Sequence, residues 1–349
     1  MKKLRVYGVR ARVCLLALCL VLAGSAEAAQ TVIRINSVSN PQASPDMPSL
    51  HWYLKFAETM KAKLGDKVDV KIYWDNQLAK TYADGINGTQ NQTLQMCNIP
   101  AASMAEYTKA LIPLNGLYVV PYPRNQIVRD AFAGDLGEHI RDQIVQETGL
   151  RIVSFWDFGF RYILTAKKPV TKVEDLAGMK FRCQPNPVQL AAFKAYGTNP
   201  TPITYSELFT SLQQGVIDGT ENPLVNVYQS RLYEVTKYFT KTGHILEFNV
   251  CLVNEDWYRN LPEDVRKAFD ESVIEADAAF IAQFEKAESN FMTIVEEKME
   301  VFDVSPEETE KFFKIGQASS KEEIVRQVGE EYYTYFMGEL EKARIALDK

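Results

Sequence analysis

Two arginines and one asparagine stand in sequence settings where a side chain is suited to bind a ligand. Arg161 precedes a predicted strand, Arg182 ends another, and Asn222 lies in the run Gly219–Pro223. Ligands of open α/β sheets bind in the crevice beyond strand ends. A guanidinium is permanently charged and offers a planar fork that matches a carboxylate. Taken alone, the pattern favours a structural ion pair for each arginine and a simple turn around Asn222, and an organic-anion site is the alternative.

Motifs for catalysis are absent from the sequence. It contains no G-x-S-x-G, P-loop, G-x-G-x-x-G or H-E-x-x-H pattern. The match of Asp157-Phe158-Gly159 to the kinase D-F-G motif lacks the accompanying H-R-D and Gly-rich loop and is read as chance. The three histidines, at positions 51, 139 and 244, are read as structural, and no metal or cofactor is predicted.

The chain has 349 residues with a formal net charge of −6, which argues against nucleic acid as a partner. Residues 1–28 have a basic head, an apolar run at 13–23 and the small-residue pattern Ala26-Glu27-Ala28. This pattern is typical of a secretory signal peptide, and a buried core helix is the alternative. We therefore expect a periplasmic protein whose remaining cysteines, Cys97, Cys183 and Cys251, form at most one disulfide and behave as small core side chains.

Strands and helices are predicted to alternate through most of the mature chain. Residues 31–35 and 68–74 read as strands around a helix at 50–63, and 151–156 and 162–165 begin a second series. Such repeated βα steps predict an α/β protein with two lobes. The expected first lobe is 29–155 with a return at about 245–280, and the second is 156–244 with about 281–349.

The C-terminal third is predicted to be helical. One apolar stripe recurs every three or four residues for about 35 residues from Val265, which predicts a helix long enough to lie across both lobes. Ser305 to Glu308 and Ser320 to Glu323 match capping boxes and predict the starts of two closing helices. Before this region, Val216-Ile217 reads as a short strand that turns at Asp218-Gly219.

Several segments resemble the solute-binding receptors of TRAP (tripartite ATP-independent periplasmic) transporters, of the C4-dicarboxylate-binding type. The most specific is LQQGVIDGTENP at 212–223, and the others are KKPVTKVEDLAGMKFR (167–182), YEVTKYFTKTGH (233–244) and NEDWYRNLP (254–262). The resemblance implies a two-lobed clamshell that closes on a small organic acid, with the long helix bending as a hinge, and passes it to the membrane subunits of a permease. We expect a monomer.

The resemblance also implies roles for individual residues. Arg182 falls where the family clamps a carboxylate, Arg161 falls on a second common arginine, and Asn222 falls on the asparagine of an E-N-P turn. Tyr205 falls on an aromatic position that lines the cleft, and Trp156 and Asn186 lie near these positions in sequence; core packing is the alternative for the aromatic residues.

The ligand itself stays open at this stage. The loop at 79–84 lacks the acidic pair often seen in the family, and Gln184-Pro185 departs from the commoner order. C4-dicarboxylates, sugar acids, 2-oxo or 2-hydroxy acids and a sulfonate all remain candidates. A stand-alone periplasmic sensor or scavenger is the alternative function, and an exported hydrolase is a weaker one.

Overall fold

A mixed β-sheet forms the centre of the computed structural model, which describes residues 30–42 and 44–349. The predicted signal peptide at 1–28 lies outside the described residues. The strands are β1 Thr31–Asn36, β2 Val68–Tyr73, β3 Met96–Pro100, β4 Leu150–Thr165, β5 Lys180–Cys183, β6 Asn199–Pro202, β7 Gly219–Pro223, β8 Tyr238–Lys241, β9 Leu246–Asn254 and β10 Glu300–Asp303.

The strand order separates the sheet into two lobes. It runs β2-β1-β3-β9-β4-β7-β5-β6, with β8 beside β4 and β10 beside β8. The first lobe contains the parallel strands β2, β1 and β3, and the second contains the parallel strands β7, β5 and β6. The predicted α/β class with two lobes is therefore confirmed.

Strand β4 belongs to both lobes. Its residues up to Phe160 pair with β9, whereas those from Arg161 to Thr165 pair with β7 and β8. The register shifts between Asp157 and Phe160, where Gly159 has a φ of 80°. A residue with a side chain adopts this conformation only with strain, so glycine suits the crossing. The two strands predicted at 151–156 and 162–165 are thus one strand with an irregular centre.

The helices cover the faces of the sheet. They are α1 Pro48–Leu64, α2 Tyr82–Gln90, α3 Gln126–Ala133, α4 Asp135–Thr148, α5 Pro187–Ala195, α6 Tyr205–Gln213, α7 Leu224–Gln229, α8 Glu255–Arg259, α9 Glu263–Lys298, α10 Pro306–Val328 and α11 Glu330–Leu347. Short 3₁₀ turns lie at Gly65–Lys67, Ala101–Glu106, Ile112–Asn115, Val173–Leu176 and Leu232–Glu234.

Helix α9 is the long helix that the apolar stripe predicts. In its first half Glu275 accepts a hydrogen bond from Thr59 of α1, and near its end Phe291 stacks on Tyr228 of α7 with ring centroids 4.1 Å apart. It therefore packs on two elements that are far apart in the sequence.

Two local predictions are wrong. Val216 and Ile217 do not form the predicted short strand. The strand begins instead at Gly219, as the buried β7 between β4 and β5, because pairing on both sides overrides a turn-like sequence that ends in proline. Ser320 does not start a helix. It lies inside α10, where its Oγ accepts a hydrogen bond from the backbone N–H of Leu117, and the break comes instead at Gly329, with a φ of 86°.

The cysteines behave as small core side chains. Cys97, Cys183 and Cys251 are free and buried, so no disulfide joins them. Burial raises the pKa of each thiol. These thiols therefore stay protonated at neutral pH.

Candidate binding cleft

A cavity of about 460 Å³ lies between the two lobes. First-lobe elements supply Val38, Asn40, Ser44, Asp75, Asn76, Lys80, Thr81, Tyr82, Ala83, Ser103, Glu106 and Tyr107. Second-lobe elements supply Arg182, Gln184, Pro185, Thr204, Tyr205, Ser206, Phe209, Gln229 and Ser230. The volume falls within the range of about 300–1,000 Å³ typical of small-molecule sites.

Arg182 is the buried cation of this cavity. Its side chain projects from β5 and is 1% exposed. Nε donates to the carbonyl of Ile203 at 2.9 Å, which fixes the orientation of the guanidinium, whereas Nη1 is buried with no hydrogen-bond partner among the described residues. Burial lowers the pKa of Arg182, with Glu221 acting against it. A buried donor without a partner costs about 1–3 kcal/mol, more when it is charged, so an anion at this place would be stabilised.

Arg161 is buried in an ion-pair cluster away from the cavity wall. It bonds Glu221 through Nε and Nη2, and its Nη1 donates to Glu247 Oε2 at 2.6 Å. Burial alone would raise the pKa of the Glu221 carboxyl, but Arg161 and His244 lower it to about 2. Burial raises the pKa of Glu247, although Arg161 opposes the shift. The arginine is thus neutralised by protein carboxylates, which corresponds to the ion-pair alternative for this residue.

Asn222 lies close to Arg182 in the sheet without lining the cavity. In the parallel pair β5–β7, Arg182 stands opposite Thr220, and Asn222 follows two residues later on the same face. Its amide makes a long contact of 3.4 Å with Thr220 Oγ1. The register therefore brings the asparagine to the same side of the sheet as Arg182.

Tyr205 lines the cavity at the start of α6. Its hydroxyl donates to the carbonyl of Asn226 at 3.1 Å and accepts from Ser230 Oγ at 2.7 Å. Burial raises the pKa of Tyr205 to about 12. The ring is therefore held in place as part of the wall by bonds to Asn226 within α7 and to Ser230 just after it.

Trp156 and Asn186 lie outside the cavity lining. Trp156 stacks on Phe280 of α9 with centroids 5.1 Å apart and packs against Trp52 of α1, so it belongs to the aromatic core. Asn186 caps α5 by accepting from the N–H groups of Val188 and Gln189, and its own amide donates to the carbonyl of Ala102. Nearness in sequence to the other candidate residues therefore did not distinguish residues that line the cavity from residues that pack behind its wall.

The first-lobe wall of the cavity was missed by residue-level prediction. Lys80, Thr81, Tyr82 and Ala83 all line it, and they belong to the loop at 79–84 that the sequence marks as unusual. Gln229 of α7 closes one edge, where its Nε2 donates to the carbonyl of Val38 across the cleft at 3.0 Å. The sequence signal for this wall was that the loop at 79–84 departs from the family pattern.

The described residues contain no metal site and no membrane span. Among them no group of three His, Cys, Asp or Glu side chains is arranged to hold a metal ion. Nor does any helix in this part of the chain have both the length and the apolar character needed to cross a bilayer.

The relatives of the chain are solute-binding proteins. Residues 40–327 match the family model described as bacterial extracellular solute-binding protein, family 7. The solute-binding protein RD1_1052 of Roseobacter denitrificans is 29% identical over 94% of this chain and 95% of its own length. The C4-dicarboxylate-binding periplasmic protein DctP of Rhodobacter capsulatus is 30% identical over 74% of this chain and 76% of its own.

Solved structures show the same architecture. The TRAP periplasmic solute-binding protein RD1_1052, with bound L-galactonate, has a TM-score of 0.78 at 25% identity and covers 89% of this chain and 98% of its own. The sugar-acid-binding protein DctPAm of Advenella mimigardefordensis, in complex with galactonate, has a TM-score of 0.83 at 24% identity and covers 90% and 99%. The resemblance drawn from the sequence motifs is confirmed, and the chain belongs to the bacterial extracellular solute-binding proteins of family 7.

Proposed function

We propose that this protein binds a small organic acid between its lobes and delivers it to the membrane subunits of a TRAP permease. We further propose that it acts in the periplasm as a monomer. The family is one of binding proteins rather than enzymes, and the relatives named above bind carboxylates. The observation that carries the proposal is the buried Arg182, whose Nη1 has no protein partner at the cavity wall.

The energetics of such a site are sufficient for tight binding. A hydrogen bond to a charged group contributes about 1.5–3 kcal/mol, and micromolar affinity requires about 8 kcal/mol. Two bonds from the Arg182 fork, further polar contacts and ring packing against Tyr205 together reach that range. Closure of the lobes over the ligand would strengthen these bonds by excluding water.

The test is to measure binding after changing the shape of the cation but not its charge. Arg182→Lys is expected to lose at least tenfold in affinity for the bound acid, because an ammonium group cannot supply two parallel bonds. Calorimetry measures this, with Arg326→Lys as the matched control, since Arg326 is exposed on α10 and pairs only with Glu323. Unchanged affinity in Arg182→Lys would refute the role of this arginine.

Transport and catalysis are tested separately. Deletion of the gene is expected to abolish uptake of the acid by cells, and re-expression of the wild-type chain to restore it. Incubation of the purified protein with the acid is expected to return the acid unchanged. Loss of an acid-dependent signal without loss of uptake would instead favour a stand-alone sensor.

A further inference from the structure

We propose that the ligand is a monocarboxylic acid with several hydroxyl groups, a sugar acid of the aldonate type, rather than a dicarboxylate. This inference rests on the proposed function and adds to it the class of substrate. It follows from the charges of the cavity wall and from the kind of polar groups that remain once the first carboxylate is bound.

The cavity offers one buried positive charge. Four charged side chains line it: Arg182, Lys80, Asp75 and Glu106. Arg182 is buried, whereas the other three are exposed. If Arg182 holds the first carboxylate, the remaining three carry one positive and two negative charges. A second carboxylate would therefore meet a wall that is negative on balance.

Arg161 does not supply the missing cation. Its Nη1 donates to Glu247, its Nε to Glu221, and its Nη2 to both the carboxylate and the backbone carbonyl of Glu221. To bind a ligand, Arg161 would have to break its bonds to two buried carboxylates, which would then be left without a counter-ion. Breaking such a buried pair is strongly unfavourable, because it leaves uncompensated charges in the interior.

The rest of the wall favours hydroxyl groups. Asn76, Thr81, Tyr82, Ser103 and Ser206 contribute neutral amide and hydroxyl groups, which both donate and accept. No hydrogen bond joins the hydroxyl of Tyr82 or of Ser103 to another described residue. Alcohol groups on a ligand would pair with these partners, and the exposed carboxylates of Asp75 and Glu106 would accept from them.

The buried cation lies on the second lobe, whereas neutral polar groups lie on both lobes, and those of the first lobe face it across the cavity. Arg182 projects from the second lobe, while Asp75, Asn76 and Tyr82 belong to the first. A ligand with a carboxylate at one end and a hydroxylated chain at the other would contact both lobes at once. The rings of Tyr82 and Tyr205 would cover its C–H faces.

Calorimetry with four groups of probes tests the inference. Gluconate and galactonate represent sugar acids, succinate and malate represent dicarboxylates, 4-hydroxybenzoate represents aromatic acids, and ethanesulfonate represents sulfonates. At least one sugar acid is expected to bind ten times more tightly than every probe of the other groups. A dicarboxylate, aromatic acid or sulfonate that binds as tightly would overturn the inference but leave the proposed function intact, whereas binding of no acid would overturn both.

Variants on the first-lobe wall provide the second test. Tyr82→Phe and Ser103→Ala remove one hydroxyl each, and each is expected to lower the affinity for the sugar acid about two- to tenfold, as loss of a neutral hydrogen bond does. Glu106→Gln is expected to improve succinate binding relative to the sugar acid by about threefold, because one repulsive charge is removed. Unchanged affinity in both hydroxyl variants, or no shift in relative succinate affinity, would contradict the proposed contacts.

Discussion

Arg161 and Arg182 project from opposite faces of the second lobe's sheet, and this difference decides what each guanidinium does. Arg161 stands opposite Pro223, so it shares a face with Glu221, two residues earlier on β7. Arg182 stands opposite the neutral Thr220, so no carboxylate is presented to it by the neighbouring strand. One arginine is therefore a structural ion pair, and the other remains a cation available to a ligand.

Replacing each arginine by methionine should change the free energy of unfolding of the ligand-free protein differently. Arg161→Met leaves Glu221 and Glu247 buried without a counter-ion, and it is expected to lower the free energy of unfolding by about 3–5 kcal/mol. Arg182→Met removes a buried cation with no bound anion, and it is expected to leave the ligand-free protein as stable as wild type or more so. Urea denaturation of the ligand-free proteins measures both.

A second set of variants checks that the charge is the cause. Adding Glu221→Gln and Glu247→Gln to Arg161→Met removes the orphaned carboxylates and should recover part of the lost stability. Equal destabilisation by Arg161→Met and Arg182→Met would show that the two guanidinium groups have similar surroundings, contrary to the contacts described above.

For individual residues, the sequence predicted where a side chain lies in its own element better than it predicted which other side chains it contacts. Local spacing placed Arg182 near the end of a strand, as observed in β5, whereas Arg161 lies inside β4 and not just before a strand. The partner Glu247 could not be predicted from local sequence, because it is 86 residues from Arg161 and only the pairing of β4 with β9 brings it close. For the same reason no local pattern could show that Arg161 is neutralised while Arg182 is not.

At the scale of elements, helix α9 is joined to α1 and β4 by a partly buried carboxyl group. Asp277 Oδ1 accepts hydrogen bonds from Trp52 Nε1 and Ser154 Oγ, both at 2.6 Å. Burial raises the pKa of Asp277 to about 6, although the two donors act against the shift. The protonated form is thus favoured in the folded protein relative to the unfolded chain, where an aspartate titrates near pH 3.9.

This shift predicts a pH dependence of stability. Because the folded pKa is the higher one, the contribution of Asp277 is fully present below about pH 4 and is lost as the pH rises through about 6. The difference in unfolding free energy between wild type and Asp277→Asn is expected to fall by about 2 kcal/mol from pH 4 to pH 7. Denaturant unfolding across that range measures it, and a difference independent of pH would contradict the assignment.

The long helix could be predicted from its repeated apolar pattern, whereas the short strand in the centre of the sheet could not be predicted. The apolar stripe from Val265 predicted the long helix, which is observed at Glu263–Lys298, because an apolar residue recurs at every helical turn. Residues Gly219–Pro223 carry turn-forming types, yet they form β7 because β4 and β5 pair with them on either side. Ser320 fits a capping box, yet tertiary contact with Leu117 holds it in the middle of α10.

At the scale of the whole molecule, the lobes are linked by elements with different roles. Strand β4 crosses between them at Gly159, and helix α9 contacts α1 in its first half and α7 near its end. Both are continuous segments of the chain. The bond from Gln229 to the carbonyl of Val38 differs, because it is a single hydrogen bond between two residues of the cavity lining on different lobes, and separation of the lobes would break it.

Gln229 should therefore control how long a ligand stays bound. Loss of one neutral hydrogen bond costs about 0.5–1.5 kcal/mol, so Gln229→Ala is expected to speed ligand release about two- to twelvefold. Stopped-flow fluorescence measures the release rate, and Gln213→Ala on α6 is the matched control because Gln213 is exposed and does not line the cavity. The association rate should change little, since the bond forms after the ligand has entered the open cleft. Equal release rates in the two variants would mean that the bond between Gln229 and Val38 does not hold the lobes together over the ligand.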